Sequence, residues 1–141
     1  MINKIIDGIC MALNLEFGDE YEIYTESIEQ GLEEPCFFIN CLNPTNDLFI
    51  GNKYWRTHQF CIQYFPATNE PYNECNEVQE RLYDCLELIE VDEELVRGSK
   101  TNGEIIDGVL NFFVNYDVFV RKVGIPGEFI GEIDYTIRPK E

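Results

Sequence analysis

The feature of this sequence that most constrains its fold is the division of side chains between alternate positions over two long runs. The run from Lys53 to Phe65 stops before Pro66, and as a strand it would place Tyr54, Arg56, His58, Phe60, Ile62 and Tyr64 on one face and Trp55, Thr57, Gln59, Cys61, Gln63 and Phe65 on the other. The run from Val109 to Arg121 divides in the same way, with apolar side chains on the even positions from Leu110 to Val120. A period of two is typical of a strand with one face against a core. The sequence therefore predicts two long strands, and the second is expected to be a principal strand of a sheet.

Two other segments show the spacing of amphipathic helices. The first is expected to end near Gly18, and its apolar stripe consists of Ile2, Ile5, Ile6, Ile9, Cys10 and Leu13. The second has start signals at Asn69, Pro71 and Asn73. Its apolar stripe is Val78, Leu82, Cys85, Leu86 and Ile89, opposite Glu77, Glu80, Arg81 and Glu87. Each stripe requires a partner surface, and a sheet face supplies it.

Shorter β-prone segments complete the pattern. Residues 21–25 and the denser apolar stretch 36–42, which follows Pro35, are predicted strands. A hairpin is expected between 95–100 and the segment that begins at Glu104, because Asn102-Gly103 accepts the positive φ values of a tight primed turn. A second dipeptide of this kind, Asp107-Gly108, predicts a further turn or a bulge.

The order of these elements predicts the architecture. It is α-β-β-β-α-β-β, with room for one more strand, and it favours an α+β sandwich with both helices on one face of a mostly antiparallel sheet. Residues 1–122 are expected to form this single domain. Residues 123–141 change in character, since glycines and Pro126 precede a last short alternation, and they are interpreted as a C-terminal arm able to form a strand.

The charge of the chain limits its partners. Its formal net charge is -17, from 27 acidic and 10 basic residues. Such a surface repels phosphate backbones, so nucleic-acid binding through a basic patch and docking on anionic membranes are disfavoured. The longest apolar stretches fall short of the ~18 residues of a membrane span. We expect a protein that is soluble and intracellular when made.

Catalysis is not indicated by the pattern. His58, the single histidine, shares the parity of Phe60 and Ile62, so we expect it to be packed or hydrogen-bonded in the sheet. The many carboxylates are interpreted as solvated side chains. No glycine-rich phosphate loop occurs in the sequence. We therefore expect no catalytic residue and no nucleotide cofactor.

The six cysteines do not have the spacing of a metal site. Cys36 and Cys41 are separated by an odd number of strand positions, so their thiols point to opposite faces. Cys75 and Cys85 rotate away from each other on a helix. No C-x-x-C occurs, and the chain is large enough to fold without disulfides. Reduced, mostly buried thiols and no bound metal are expected.

Four stretches together resemble a known family. They are YEIYTESIEQGLEEPCFFI, RTHQFCIQYFP, ECNEVQERLYDCLELI and DGVLNFFVNYDVFVRK, and they resemble the phage tail terminator family of Gram-positive phages and prophages. The resemblance covers residues 1–122, and residues 123–141 depart from it. It implies a structural protein at the head-proximal end of the tail tube, in the virion, assembled in the host cytoplasm. A ring of six subunits would stop tube growth there and offer a surface to head-completion proteins.

Candidate contact residues come from three regions. The acidic loop 26–34 is expected either to line the ring lumen, where carboxylates would repel passing DNA, or to be an ordinary solvated loop. Aromatic residues beside Arg56 are candidate interface anchors, although a sheet buries such residues as often. The arm is expected to add a strand to a neighbouring subunit or to fold back on its own domain. The candidates are Glu26, Glu29, Glu33, Glu34, Tyr54, Trp55, Ile133, Tyr135 and Ile137.

Two other functions are compatible with the composition. An acidic DNA mimic would occupy the phosphate-binding groove of a host protein. A head-closure or other neck protein would share the small ring-forming α/β character. An enzyme would require a cleft that joins His58 to Cys61 or to a carboxylate, although Cys61 lies on the opposite strand parity.

Overall fold

The helices and strands follow from the patterns above, with several strands in addition. A computed structural model describes residues 1–26, 31–123 and 134–139 of the chain. The elements are α1 (Ile2–Phe17), β1 (Glu22–Tyr24), β2 (Cys36–Ile50), β3 (Lys53–Phe65), α2 (Pro71–Cys85), β4 (Leu88–Val91), β5 (Glu94–Arg97), β6 (Ser99–Ile106), β7 (Val109–Asn115), β8 (Val118–Val123) and β9 (Asp134–Pro139). The α+β class and the order of helices and main strands are as predicted.

The main sheet is built around β3. Its strand order is β1-β2-β3-β7-β6, and β8 pairs with the first part of β3 and with β9. All of these pairs are antiparallel except β1–β2. Strands β7 and β8 continue one line along β3, because the pairs Gln59↔Asn115 and Arg56↔Val118 keep one register. Between them, the backbone N–H of Tyr116 donates to the carbonyl of His58 at 2.9 Å. The predicted long strand Val109–Arg121 is thus confirmed, with a break in its assignment at 116–117.

Both helices lie on one face of this sheet, as predicted. On α1, the Phe17 ring packs 4.9 Å from Phe37 of β2, and on α2 the Tyr83 ring packs 5.6 Å from Phe112 of β7. The sheet side chains under the helices are buried, and they alternate with residues that face the other way. This helix-covered face contains Phe37, Ile39, Phe60, Ile62, Tyr64, Leu110, Phe112 and Val114.

The predicted hairpin turn at Asn102-Gly103 is wrong. Strand β6 runs straight through both residues. The turns lie instead at Asp92-Glu93 and at Asp107-Gly108, where each pair has two positive φ values. Gly103 passes close to α2, where a Cβ would come within 2.7 Å of the end of the Gln79 side chain. Of the two roles left open for Asp107-Gly108, the structure shows the turn.

The second helix is shorter than its apolar stripe predicts. It ends at Cys85, and Ile89 belongs to β4, where it is 2% exposed. The chain leaves the helix at Leu86, whose carbonyl accepts a hydrogen bond from the Tyr116 hydroxyl at 2.6 Å. Glu87 then accepts a bond from the backbone of Gly98 at 2.7 Å and so begins the β4–β5 ribbon. A buried strand residue four positions after a helical one cannot be distinguished from a helix by spacing alone.

Candidate assembly surfaces

The second face of the sheet carries no described helix or ribbon. Its side chains on the central strands are half-buried or buried, and none is an Asp, Glu, Lys or Arg. We call this surface the open face, and it consists of Cys36, Phe38, Asn40, Leu42, Gln59, Cys61, Gln63, Phe65, Asn111, Phe113 and Asn115. In a chain that is 26% charged, an uncharged area of this extent is a candidate contact surface.

The polar groups of the open face are amides. Gln63 donates from its Nε2 to Oδ1 of Asn111 at 2.9 Å. Among the described residues, Asn40 Oδ1 and Asn115 Oδ1 are buried without a hydrogen-bond partner. Unpartnered buried acceptors are rare and call for an explanation. A surface of neutral amides and aromatic rings is typical of the core of a protein interface rather than of a solvated face.

A second surface lies at the end of the β2–β3 hairpin. Leu48, Phe49 and Ile50 are 62%, 62% and 67% exposed, and we call them the apolar tip. The sequence did not predict them as part of a strand, but β2 extends through residues 43–50 by pairing with β3. Gly51, with a φ of 59°, makes the reversal possible. A leucine-phenylalanine-isoleucine run before Gly51-Asn52 is the signal that would have indicated this hairpin.

Aromatic rings support the apolar tip from the side of the open face. The Phe49 ring lies 5.1 Å from Phe119 of β8, and the Trp55 ring lies 4.6 Å from the same ring. Lys53 places its Nζ 4.5 Å from the Phe119 centroid. Trp55, a predicted interface anchor, is therefore half-buried at the edge of this cluster. Tyr54 lies on the helix-covered side of β3, separate from Trp55.

Basic residues surround the tip. Lys53 pairs across the strands with Arg121, and the Nζ of Lys122 lies 4.3 Å from the Tyr54 ring. We call Lys53, Arg121 and Lys122 the cationic collar. Since the whole chain has 10 basic residues against 27 acidic ones, three basic residues beside the tip are a local concentration of positive charge, although Asp47 lies at the same hairpin end.

His58 has a structural environment. It is 2% exposed, its Nδ1 donates to the carbonyl of Tyr116 at 2.8 Å, and its backbone N–H donates to Oδ1 of Asp117 at 3.2 Å. Burial lowers the pKa of His58, and the bond to Tyr116 and the charge of Asp117 oppose that shift. The prediction of a hydrogen-bonded histidine in the sheet is confirmed. Cys61 points to the opposite face of β3, as its parity predicts.

An open pocket of about 550 Å³ adjoins His58. Polar groups dominate one wall, where Arg56 donates from Nε to Oδ1 of Asn46 at 2.7 Å. Thr45 and the first residues of α1 complete the lining. His58 is the one buried titratable group there, and its ring is already engaged by Tyr116. Among the described residues that line it, the pocket provides hydrogen-bonding contacts but no nucleophile beside a base.

The cysteines are free thiols, as predicted. Cys36, Cys61 and Cys75 are buried, and the other three are partly buried. Burial raises the pKa of Cys36 to about 11 and that of Cys85 to about 12, so these thiols are protonated and unreactive at neutral pH. Within the described part of the chain, no three His, Cys, Asp or Glu side chains group as metal ligands do.

The acidic loop follows edge strand β1. Glu26, Glu33 and Glu34 are exposed, and the backbone N–H of Glu33 donates to the Tyr24 hydroxyl at 3.2 Å. Glu29 lies outside the described residues. The structure therefore places three of the four candidate lumen carboxylates at one edge of the sheet, in solvent.

The C-terminal candidates lie on or near β9. This strand pairs with β8 of the same chain, with Tyr135 opposite Lys122 and Ile137 opposite Val120. Ile133 lies outside the described residues. The backbone of 134–139 thus extends the chain's own sheet.

Comparison with known proteins identifies a family. A family model described as phage tail terminator protein matches residues 4–128, from the first turn of α1 to beyond β8. No curated protein matches the chain. Of the two described helices, neither is long and apolar enough to cross a membrane.

Proposed function

The chain belongs to the phage tail terminator protein family, a family of structural tail proteins of the virion, and on that premise we propose that it caps the tail tube. The cap is a ring of identical subunits, six in number, at the head-proximal end. It stops polymerisation of the tube protein and presents its other side to a head-completion protein. The genome passes through the ring without specific binding.

The observation that carries this proposal is the extent of the family match. Residues 4–128 include both helices, the β4–β5 ribbon and the strands from β1 to β8. The match therefore concerns all of the α+β sandwich except β9 and the start of α1, and not a short motif within it.

The surfaces described above support a ring. A closed ring of identical subunits has head-to-tail contacts, which require two different complementary surfaces on each chain. The open face and the apolar tip are two such surfaces, distinct in shape and in position on the sheet. A pocket with catalytic groups is not needed for this role.

The charge supports passage of DNA. Carboxylates on the lumen wall would repel the phosphate backbone and prevent adhesion. We propose that Glu26, Glu33 and Glu34 contribute to this wall. Replacing the three by glutamine is expected to leave capping intact and to increase retention of DNA by the rings at low salt. The matched control neutralises the exposed helix acids Glu77, Glu80 and Asp84 and is expected to retain less DNA; equal retention by both triple variants would contradict the lumen assignment.

The capping proposal is tested with the matching tail-tube protein. Purified terminator is added to polymerising tube protein, and negative-stain microscopy scores tube length and the presence of rings at tube ends. A protein of similar size and negative charge from another source controls for a general polyanion effect. Rings at one end of tubes that stop growing are the expected result. Unchanged tube length with bare ends would refute the proposal.

A further inference from the structure

Two uncharged surfaces of different shape occur on this chain. The open face is broad and follows the sheet, whereas the apolar tip is a small convex group at the end of a hairpin. The tip exposes apolar side chains to solvent, whereas the open face presents half-buried ones such as Phe38, Phe65 and Phe113. Exposed apolar patches on a soluble protein mark contact sites, and two complementary ones on a single chain fit a contact between copies.

The tip cannot cover the open face of its own chain. Its strands are paired within the sheet, and the carbonyl of Asn52 accepts a hydrogen bond from the backbone of Lys122 at 2.9 Å. Lys53 is held next to Arg121 of β8 by the same pairing. Bringing Ile50 over the central strands would require these pairs to break. The tip that meets the open face is therefore that of a second chain.

The outer edge of the same hairpin is protected against strand addition. Pro44 lies in the exposed part of β2, and the register with β3 shifts between Leu42 and Thr45 and again between Leu48 and Ile50. Prolines and bulges are devices that prevent edge strands from pairing with other chains. The contact made by this hairpin is therefore expected to use the side chains of its tip rather than its backbone.

Charge favours a second copy of this chain as the occupant. The open face is bordered by the exposed carboxylates of Glu22 on β1 and Glu104 on β6, which share its side of the sheet. The cationic collar is adjacent to the tip. Seating the tip on the open face brings the basic collar toward this acidic border, and like-charge contact at the centre is avoided because the open face has no charged side chain.

We propose that the apolar tip of one subunit docks on the open face of the next, with the cationic collar against the acidic border. The contact is head-to-tail, since each chain contributes a tip on one side and an open face on the other. The inference rests on the proposed ring and identifies its subunit contact.

The test places one negative charge on either surface. Ile50→Asp changes the most exposed tip residue, and Gln59→Glu adds a charge to the open face on its central strand β3, between Leu42 and Asn115, with little change in volume. Leu95→Asp, at a strand position 60% exposed on β5, is the control for the first variant, and Asn76→Asp, on the exposed side of α2, is the control for the second.

Self-association is measured by sedimentation velocity over a concentration series and by counting rings on tube ends. Circular dichroism and the fluorescence of Trp55 establish that each variant is folded, and Leu48→Asp replaces Ile50→Asp if that variant is not. Both surface variants are expected to weaken self-association at least tenfold, because a charge is then buried at the contact without a partner. Both controls are expected to match the unaltered chain.

Mixing the two surface variants distinguishes head-to-tail docking from symmetric docking. The intact tip of the Gln59→Glu chain fits the intact open face of the Ile50→Asp chain, so the mixture is expected to form one-to-one dimers and no rings. If either variant alone still dimerised, the contact would be tip to tip or face to face, and the proposal would be overturned.

Other outcomes also decide the proposal. Variants that associate like the unaltered chain overturn it, and so does an unaltered chain that is monomeric both in solution at about 1 mM and on tubes. If both surface variants still form rings that cap tubes, the proposed contact is refuted and the proposed function is supported. If the unaltered chain forms oligomers that both substitutions disrupt but does not bind tubes, the contact is supported and the proposed function is refuted.

Discussion

Replacing Gly8 by alanine is expected to destabilise the protein, although alanine is the better helix former. Gly8 is a buried residue of α1, and α1 packs there against the β4–β5 ribbon. A Cβ at this position would lie 2.6 Å from the backbone oxygen of Glu90 and 3.4 Å from Cδ1 of Ile89. The close atom belongs to the backbone of a paired strand and cannot rotate away. The helix and the ribbon would have to separate.

The magnitude follows from two opposing effects. Ordinary contact at such a Cβ begins at 3.4 Å, so α1 must move by roughly 0.8 Å. Overpacking of a close-packed core costs about 1–3 kcal/mol, and a contact with backbone belongs to the upper half of that range. Replacing glycine in a helix interior gains about 1 kcal/mol. The net loss is therefore about 1–2 kcal/mol, or a fall in Tm of about 3–8 °C.

The assay is urea unfolding followed by circular dichroism and by the fluorescence of Trp55, the single tryptophan. Dilute protein is used, and the midpoint is checked for independence of concentration, because association would add to stability. Asn14→Ala is the control, since this exposed residue of the same helix gains propensity without a packing change. It is expected to raise stability by about 0.5 kcal/mol. If Gly8→Ala matched or exceeded this gain, the inferred close contact between α1 and β4 would be refuted.

Three further predictions concern stability. Because burial lowers the folded-state pKa of His58, the contribution of His58 to the free energy of unfolding is fully present above pH 6.5 and is lost as the pH falls through 6.5 toward the lowered pKa. His58→Gln is expected to remove this pH dependence from unfolding free energies measured between pH 5 and 7.5. Parallel curves for the variant and the unaltered chain would contradict the prediction. Tyr116→Phe removes the buried hydrogen bond to the Leu86 carbonyl and is expected to lower the free energy of unfolding in urea by about 1–3 kcal/mol. Tyr72→Phe, at an exposed position, is the control and is expected to have an effect near zero. Equal effects of the two substitutions would count against the hydrogen bond. Raising NaCl from about 10 to about 150 mM is expected to raise Tm, because salt screens the repulsion within a chain whose net charge is -17. The exposed ion pairs that salt also screens contribute little to stability. A lower Tm at the higher salt concentration would contradict this prediction.

The central strands could be predicted because one face of each is buried, and apolar side chains at alternate positions indicate that face. Strand β3 has the predicted bounds, Lys53 to Phe65, and the line of β7 and β8 follows the predicted alternation. Strand β2 beyond Leu42 could not be predicted in this way. Residues 43–50 are all exposed, so neither face of this segment requires apolar side chains at every second position. The segment is a strand because it pairs with β3. Asn102 and Gly103 have a local preference for a turn, but their pairing with Phe113 and Phe112 of β7 keeps both residues in β6.

The candidate surfaces show the same limit. Single positions such as Tyr54 and Trp55 were identified by residue type, but the sequence does not say that they point to opposite sides of a sheet with one covered face. The lack of charge at alternate positions of 59–65 and 111–115 is visible in the sequence. It indicates a contact surface only when the structure shows that both helices lie on the other side. Strand pairing and register decide which residues of different strands share one surface, and the pattern within a single strand does not predict them.

Net charge alone does not decide whether copies of this chain can meet. Two chains with a charge of -17, at centres about 35 Å apart, would repel by about 30 kcal/mol in water without salt. At about 0.15 M salt the Debye length is about 8 Å, and the same repulsion falls below about 1 kcal/mol. Only charges within about one Debye length of the contact then matter. There the open face itself presents no charge, its border carries Glu22 and Glu104, the tip brings the basic collar together with Asp47, and the acids of helix α2 lie on the opposite side of the sheet. The local distribution thus permits self-association of a chain whose total charge opposes it.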